Sequence, residues 1–180
     1  GNYRIAINLL TPLSILGDGI STALLSTFPS LTSEEYKLKD AVKRAPIYVT
    51  IAVTPLALAI AVFARPMTAL IYGEAYKLAP LYLSILALQG LLAPMGGYVV
   101  GVYFNSIGAT TTTFKIRIVN IAIKVPLAII LIIKYGVLGL IVSSLLAMVF
   151  SKIYALHIIF SKFSVRLDLY ESFKVATPSA

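Results

Sequence analysis

The sequence predicts an all-α protein, a polytopic bundle of about five transmembrane helices. Three observations carry this. Of the 180 residues, 59% are hydrophobic and only 12% charged, with a mean hydropathy of +0.93, which excludes an ordinary soluble domain. The apolar residues gather into runs of spanning length, since a ~30 Å hydrocarbon core at 1.5 Å per residue needs about 20 residues. The basic residues fall mostly in the short connections between those runs, so the net charge of +8 reads as a topology signal and not as a nucleic-acid footprint.

The first span, residues 3–29, carries Asp18 near its middle, between Gly17 and Gly19. Asn8, Thr11, Ser14, Asp18 and Ser21 follow one another at offsets that keep them on one side of an α-helix. A membrane helix with such a wet stripe must turn it toward protein or toward water held by protein. Gly17-Asp18-Gly19 is also a place for a local helix break.

In the connection 31–44, Thr32 and Glu35 have capping-box spacing, and Lys37, Lys39, Lys43 and Arg44 follow, which predicts a short helix at the membrane surface. The second span, residues 45–63, has Pro55 at its centre and should kink there. Arg65-Pro66 breaks the helix, and residues 67–72 form one or two interfacial turns before Gly73. The third span, residues 80–104, should bend near Pro94 and pack closely at Gly97 and Gly101, a GxxxG spacing. Gln89 and Asn105 read as interhelical hydrogen-bonding groups.

A polar turn over 106–113 leads to the fourth span, residues 114–133. The fifth, residues 137–160, places Gly139, Ser143, Ala147, Ser151 and Ala155 at four-residue steps, a small-residue ridge for a close helix crossing. Tyr3, Tyr36, Tyr48, Tyr72, Tyr76, Tyr103 and Tyr135 mostly flank the spans, as an aromatic belt would. Residues 1–165 are thus read as the bundle and 166–180 as a cytoplasmic linker. Gly1 leads straight into an apolar run and Pro178-Ser179-Ala180 follows a charged segment, so the chain reads as an excerpt from a longer protein.

If the 31–44 loop is cytoplasmic, the inner side holds nine cations: Lys37, Lys39, Lys43, Arg44, Lys115, Arg117, Lys162, Arg166 and Lys174. The outer side holds four, namely Arg4, Arg65, Lys77 and Lys134. That imbalance sets the orientation of a multi-pass protein in the cell membrane.

On the fourth span Thr113, Arg117, Asn120 and Lys124 share a face. Lys124 is near mid-helix and costs at least ~2.5 kcal/mol if it faces lipid. It therefore needs a partner, Asp18 being one choice, or a hydrated cavity in which it and Arg117 attract an anionic substrate. Lys152 and His157 read as interfacial, toward the inner end of the fifth span. The candidate substrate path is Asn8, Thr11, Ser14, Asp18, Ser21, Arg117, Asn120 and Lys124. With no Cys, one His, no DxxD-type carboxylate pair inside or beside a helix, and no P-loop, GxSxG or HExxH, neither catalysis nor a metal or cofactor site is expected.

Gly1-Asn2-Tyr3-Arg4-Ile5-Ala6, Ile20-Ser21-Thr22-Ala23-Leu24 and Phe28-Pro29-Ser30-Leu31, then Ile71-Tyr72-Gly73-Glu74-Ala75-Tyr76 with Ala79-Pro80, Asn105-Ser106-Ile107-Gly108, Asn120 and Tyr135-Gly136-Val137-Leu138-Gly139 occur in order along the chain. Together they resemble the C-terminal lobe of polysaccharide-biosynthesis, O-antigen-type flippases. These are part of a superfamily that also includes multidrug and toxic-compound extruders and lipid II flippases. The resemblance implies a MATE-like transporter of about twelve to fourteen helices in two lobes, with the substrate site between them and alternating access. The first span would match the eighth helix and look onto the central cavity, with a partner N-terminal lobe opposite. The substrate would be an anionic lipid-linked oligosaccharide. Lys124 departs from the family, where an apolar residue is more usual. Alternative readings are a cation-coupled drug exporter, with Asp18 binding H⁺ or Na⁺, and a non-transporting membrane scaffold.

Overall fold

The computed structural model describes residues 1–162 together with Tyr170, Glu171 and Lys174. The expected linker over 166–180 lies, apart from those three, outside the described residues, as does Arg166. Helix α1 (Asn2–Thr27) and a 3-10 turn, Pro29–Leu31, fill the first expected span. Ile5, Leu9, Leu13 and Gly17 stand at four-residue steps, with Ala6 and Leu10 beside them, and form its buried stripe. The helix does not break at Gly17-Asp18-Gly19. The Ser21 and Thr22 hydroxyls donate to the Gly17 and Asp18 carbonyls at 2.9 and 2.8 Å, so these polar groups are satisfied within the helix.

Helix α2 (Glu35–Val62) corrects the expectation of a separate surface helix over 31–44. Leu38, Val42, Val49, Val53 and Ala57 fall along one buried face, and a surface helix would have turned Leu38 and Val42 out of that stripe. Pro46 costs only one backbone bond, too little to outweigh the continuous apolar contact, and the helix runs on through Pro55. Thr32 does not cap it. Glu34 occupies the N-cap position without a side-chain bond, leaving Thr32 too early in the chain, and the Thr32 hydroxyl donates to the Pro29 carbonyl at 2.7 Å. Three of the four cations of this first stretch are tied locally instead: Lys37–Glu34 at 2.7 Å, Lys39–Glu35 at 2.6 Å and Arg44–Asp40 at 3.1 Å.

Helix α3 (Ala64–Tyr72) contains the expected turns before Gly73, whose φ of +76° suits glycine, but the break falls at Phe63 and not at Arg65-Pro66, because a proline is tolerated in the first turn of a helix. The third span is broken. Helix α4 (Ala79–Ala87) passes into a 3-10 segment, Leu88–Met95, which contains Pro94; a turn follows at Gly96 in the left-handed region, and helix α5 (Val100–Ser106) leaves at 53°. Helices α6 (Thr110–Tyr135) and α7 (Val137–Lys162) form a hairpin around Gly136, at φ +57°. Among the described residues four helices are long and apolar enough to cross a membrane, and the bent pair makes a fifth if counted as one span.

The core lies where α1, α2 and the 3-10 segment cross at Gly90. A Cβ there would overlap Ala57 and meet Leu13 Cδ2 at 3.4 Å and Val53 Cγ1 at 3.5 Å. The Ser84 hydroxyl ties α4 to α2 through the Ala61 carbonyl at 2.9 Å.

The glycines do not pack as GxxxG spacing predicts. Gly101 has open space beside its Cα, and Gly97 faces the Leu92 carbonyl of its own segment; the break between them removes the single helix face that the motif requires. The ridge on α7 is buried at Ser143, Ala147, Ser151 and Ala155. At Gly139 a Cβ would overlap the Leu131 backbone of α6. Tyr103 belongs to the core, 4% exposed, while Tyr36 and Tyr48 are exposed as belt residues are.

Candidate functional site

A cavity of about 450 Å³ opens between α1, the broken span, α6 and α7. Its polar wall is Ser14 and Asp18 from α1, Gln89 and Tyr98 from the broken span, Arg117 from α6 and Lys152 from α7. A second cavity of about 410 Å³ adjoins it and shares Gly97, Tyr98, Arg117, Ser151 and Lys152. Tyr98 and Lys152 therefore stand in the septum between the two.

Each side chain is placed by a local reason. Gly17 presents no side chain on α1, and the Tyr98 ring occupies the space a Cβ would need. The glycine beside Asp18 thus serves contact and not a helix break. Because the backbone unwinds at Gly96, the Gly97 carbonyl loses its helical partner, and the Lys152 ammonium donates to it. Asn120 donates to the Ser151 hydroxyl at 3.2 Å, which in turn donates to the Met148 carbonyl at 2.9 Å, joining α6 to α7 at the cavity floor. Thr113 donates to the Asn105 side-chain oxygen at 3.0 Å, the interhelical bond expected of Asn105.

The sequence-derived candidates divide. Ser14, Asp18, Arg117 and Asn120 line the first cavity, and Ser21 lines the second. Asn8 and Thr11 continue the same exposed side of α1 beyond the cavities. Lys124 lines neither cavity. It is half-buried, and no described ion pair joins it to Asp18. A further turn along α6 from Asn120, it lies past the wall that faces α1.

Gln89 lines the cavity in place of the expected interhelical bond. Lys152 is the residue sequence reasoning misplaced: it sits near the middle of α7, at the cavity, and not at an interface. The signal was present, because a lysine amid an apolar helix needs the same explanation as Lys124. His157 is exposed.

Two cations facing one carboxylate leave the cavity wall with a positive balance. Arginine and lysine donors lining one cavity favour an anion through charge-assisted hydrogen bonds. Among the described residues no cluster of His, Cys, Asp or Glu could hold a metal ion, and no nucleophile stands with a base. The arrangement is equipped to hold a charged group.

Comparison with known proteins gives one positive finding. The family model described as Lipid II flippase MurJ matches residues 5–176. No curated protein matches, and no solved structure matches.

Proposed function

The chain belongs to the Lipid II flippase MurJ family, and from that premise we propose that it is the C-terminal lobe portion of a flippase for a diphosphate-linked saccharide lipid. The family is one of flippases and not of enzymes, and the spanning helices make this a multi-pass membrane protein. The observation that carries the reading is the cavity wall of Arg117 and Lys152 opposite Asp18.

In this reading the anionic diphosphate sits against Arg117 and Lys152, and the saccharide follows the polar side of α1 from Ser14 and Asp18 past Ser21. The lipid tail stays in the bilayer. The exposed Asn8 and Thr11 are the part of that wall which a second lobe completes. The connection between α1 and α2, with the first turns of α2, lies on the cytoplasmic side. Whether the saccharide is a peptidoglycan precursor or an O-antigen-type unit is a matter of the head group, and the family favours the former.

The test is translocation of lipid-linked saccharide by full-length protein in vesicles. Arg117→Gln and Lys152→Gln each remove a charge-assisted bond, so transport falls about tenfold or more per cation, while Lys124→Gln stays near the parent rate. Parent-level transport by both the Arg117 and Lys152 variants overturns the reading.

A further inference from the structure

The motif Ile71-Tyr72-Gly73-Glu74-Ala75-Tyr76 takes no part in the central cavities. It builds a different pocket, of about 470 Å³, at the end of the bundle where α3 leads into α4. Arg65 and Thr68 come from α3, Gly73 and Glu74 from the turn, and Tyr76 and Lys77 from the segment before α4. The frame is held at several points. The Thr68 hydroxyl, fully buried, donates to the Ala64 carbonyl at 2.8 Å. Gly73 takes φ +76°, and Tyr72 and Tyr76 meet edge to face at 6.4 Å.

Two features give the pocket a ligand class. Arg65 and Lys77 have no carboxylate within ion-pair distance among the described residues, although Glu74 shares their pocket. At the other end of α2, by contrast, three of four cations, Lys37, Lys39 and Arg44, are paired. The second feature is depth. Leu70 and Ile71 on α3 are 88% and 58% exposed, and Val62 and Phe63 beside them are exposed too. A short helix that shows such an apolar face at the end of a spanning helix lies in the lipid interface, its polar side at head-group level.

We propose that the Arg65–Lys77 pocket binds the phosphate of an anionic membrane phospholipid, with the acyl chains lying along Leu70 and Ile71. The guanidinium and ammonium bracket the phosphodiester. Glu74 accepts hydrogen bonds from head-group hydroxyls and repels a second negative charge, which favours a glycerol head group over a diphosphate. The site is separate from the transport cavity and does not depend on what the flippase carries.

The test is native mass spectrometry of the full-length protein titrated with phosphatidylglycerol. An Arg65→Gln/Lys77→Gln double variant should bind its tightest phosphatidylglycerol about tenfold more weakly, and Lys77→Gln alone should show a smaller loss in the same direction. Lys134→Gln removes one charge at the same end of the bundle but outside the pocket, and should bind as the parent does. Phosphatidylcholine should not distinguish parent from variants, and millimolar inorganic phosphate should not displace the lipid. Equal phosphatidylglycerol affinity in parent and double variant overturns the proposal. So does an equal loss in Lys134→Gln, or displacement by inorganic phosphate, which would make the pocket a site for the free ion.

Discussion

Helix α2 buries ten of its residues, whereas α6, nearly as long and as apolar, buries none and leans chiefly on α7. Both are spanning helices by composition, so their hydropathy reports that they cross the bilayer and not how they are used there. The apolar residues of α2 meet α1 and the broken span. Those of α6, such as Ile118, Val125 and Ile129, are exposed, and its polar residues Arg117 and Asn120 face the cavity. Damage to α2 should therefore be read as lost stability, and damage to the cavity face of α6 as lost transport.

The sharpest way to break this contrast is at Gly90, where α2 is met most closely. Gly90→Leu drives a side chain into Ala57, Leu13 and Val53 and should destabilise the protein by about 1–3 kcal/mol or more. Thermal unfolding in detergent would show a clear drop in midpoint, and an unchanged midpoint would contradict the close crossing.

A smaller effect of opposite sign is expected one turn before Ala57. The Thr54 hydroxyl is buried without a partner, while the Thr50 hydroxyl donates to the Pro46 carbonyl at 2.7 Å. Thr54→Val should raise stability by about 1 kcal/mol and Thr50→Val should not, since only the first removes an unsatisfied group. The same unfolding measurement distinguishes the two.

The smallest stability change should come from the hairpin. Asn120→Ala deletes the 3.2 Å bond to Ser151, and interhelical bonds of this kind are worth about 0.6 kcal/mol in a membrane. Its midpoint should scarcely move while lipid-linked saccharide transport falls. A large loss of stability with normal transport would show that α6 is a packing helix like α2.

Much of this division was legible in the residues. The alternation of apolar runs with basic connections located the spans, and the small-residue ridge from Gly139 to Ala155 announced a close helix crossing without naming its partner. The polar side of α1 was visible as spacing alone. What escaped depended on which of two acceptable local rules would win. The basic run from Lys37 to Arg44 reads as a surface helix of its own, yet Leu38 and Val42 continue the stripe of Val49 and Val53, and burial outweighed the backbone bond that Pro46 lacks. Gly97 and Gly101 read as a packing pair, but Pro94 and Gly96 unwind the segment first. Lys152 reads as a snorkelling side chain until that unwinding exposes the Gly97 carbonyl, a tertiary event that no spacing announces.

The joint at Gly136 also fixes what the polar middle of α6 can meet. With α6 ending at Tyr135 and α7 starting at Val137, one residue separates the two helices, so they are antiparallel neighbours whatever the rest of the bundle does. The partner that Asn120 finds in Ser151 therefore belongs to the same hairpin and needs no contribution from α1 or α2.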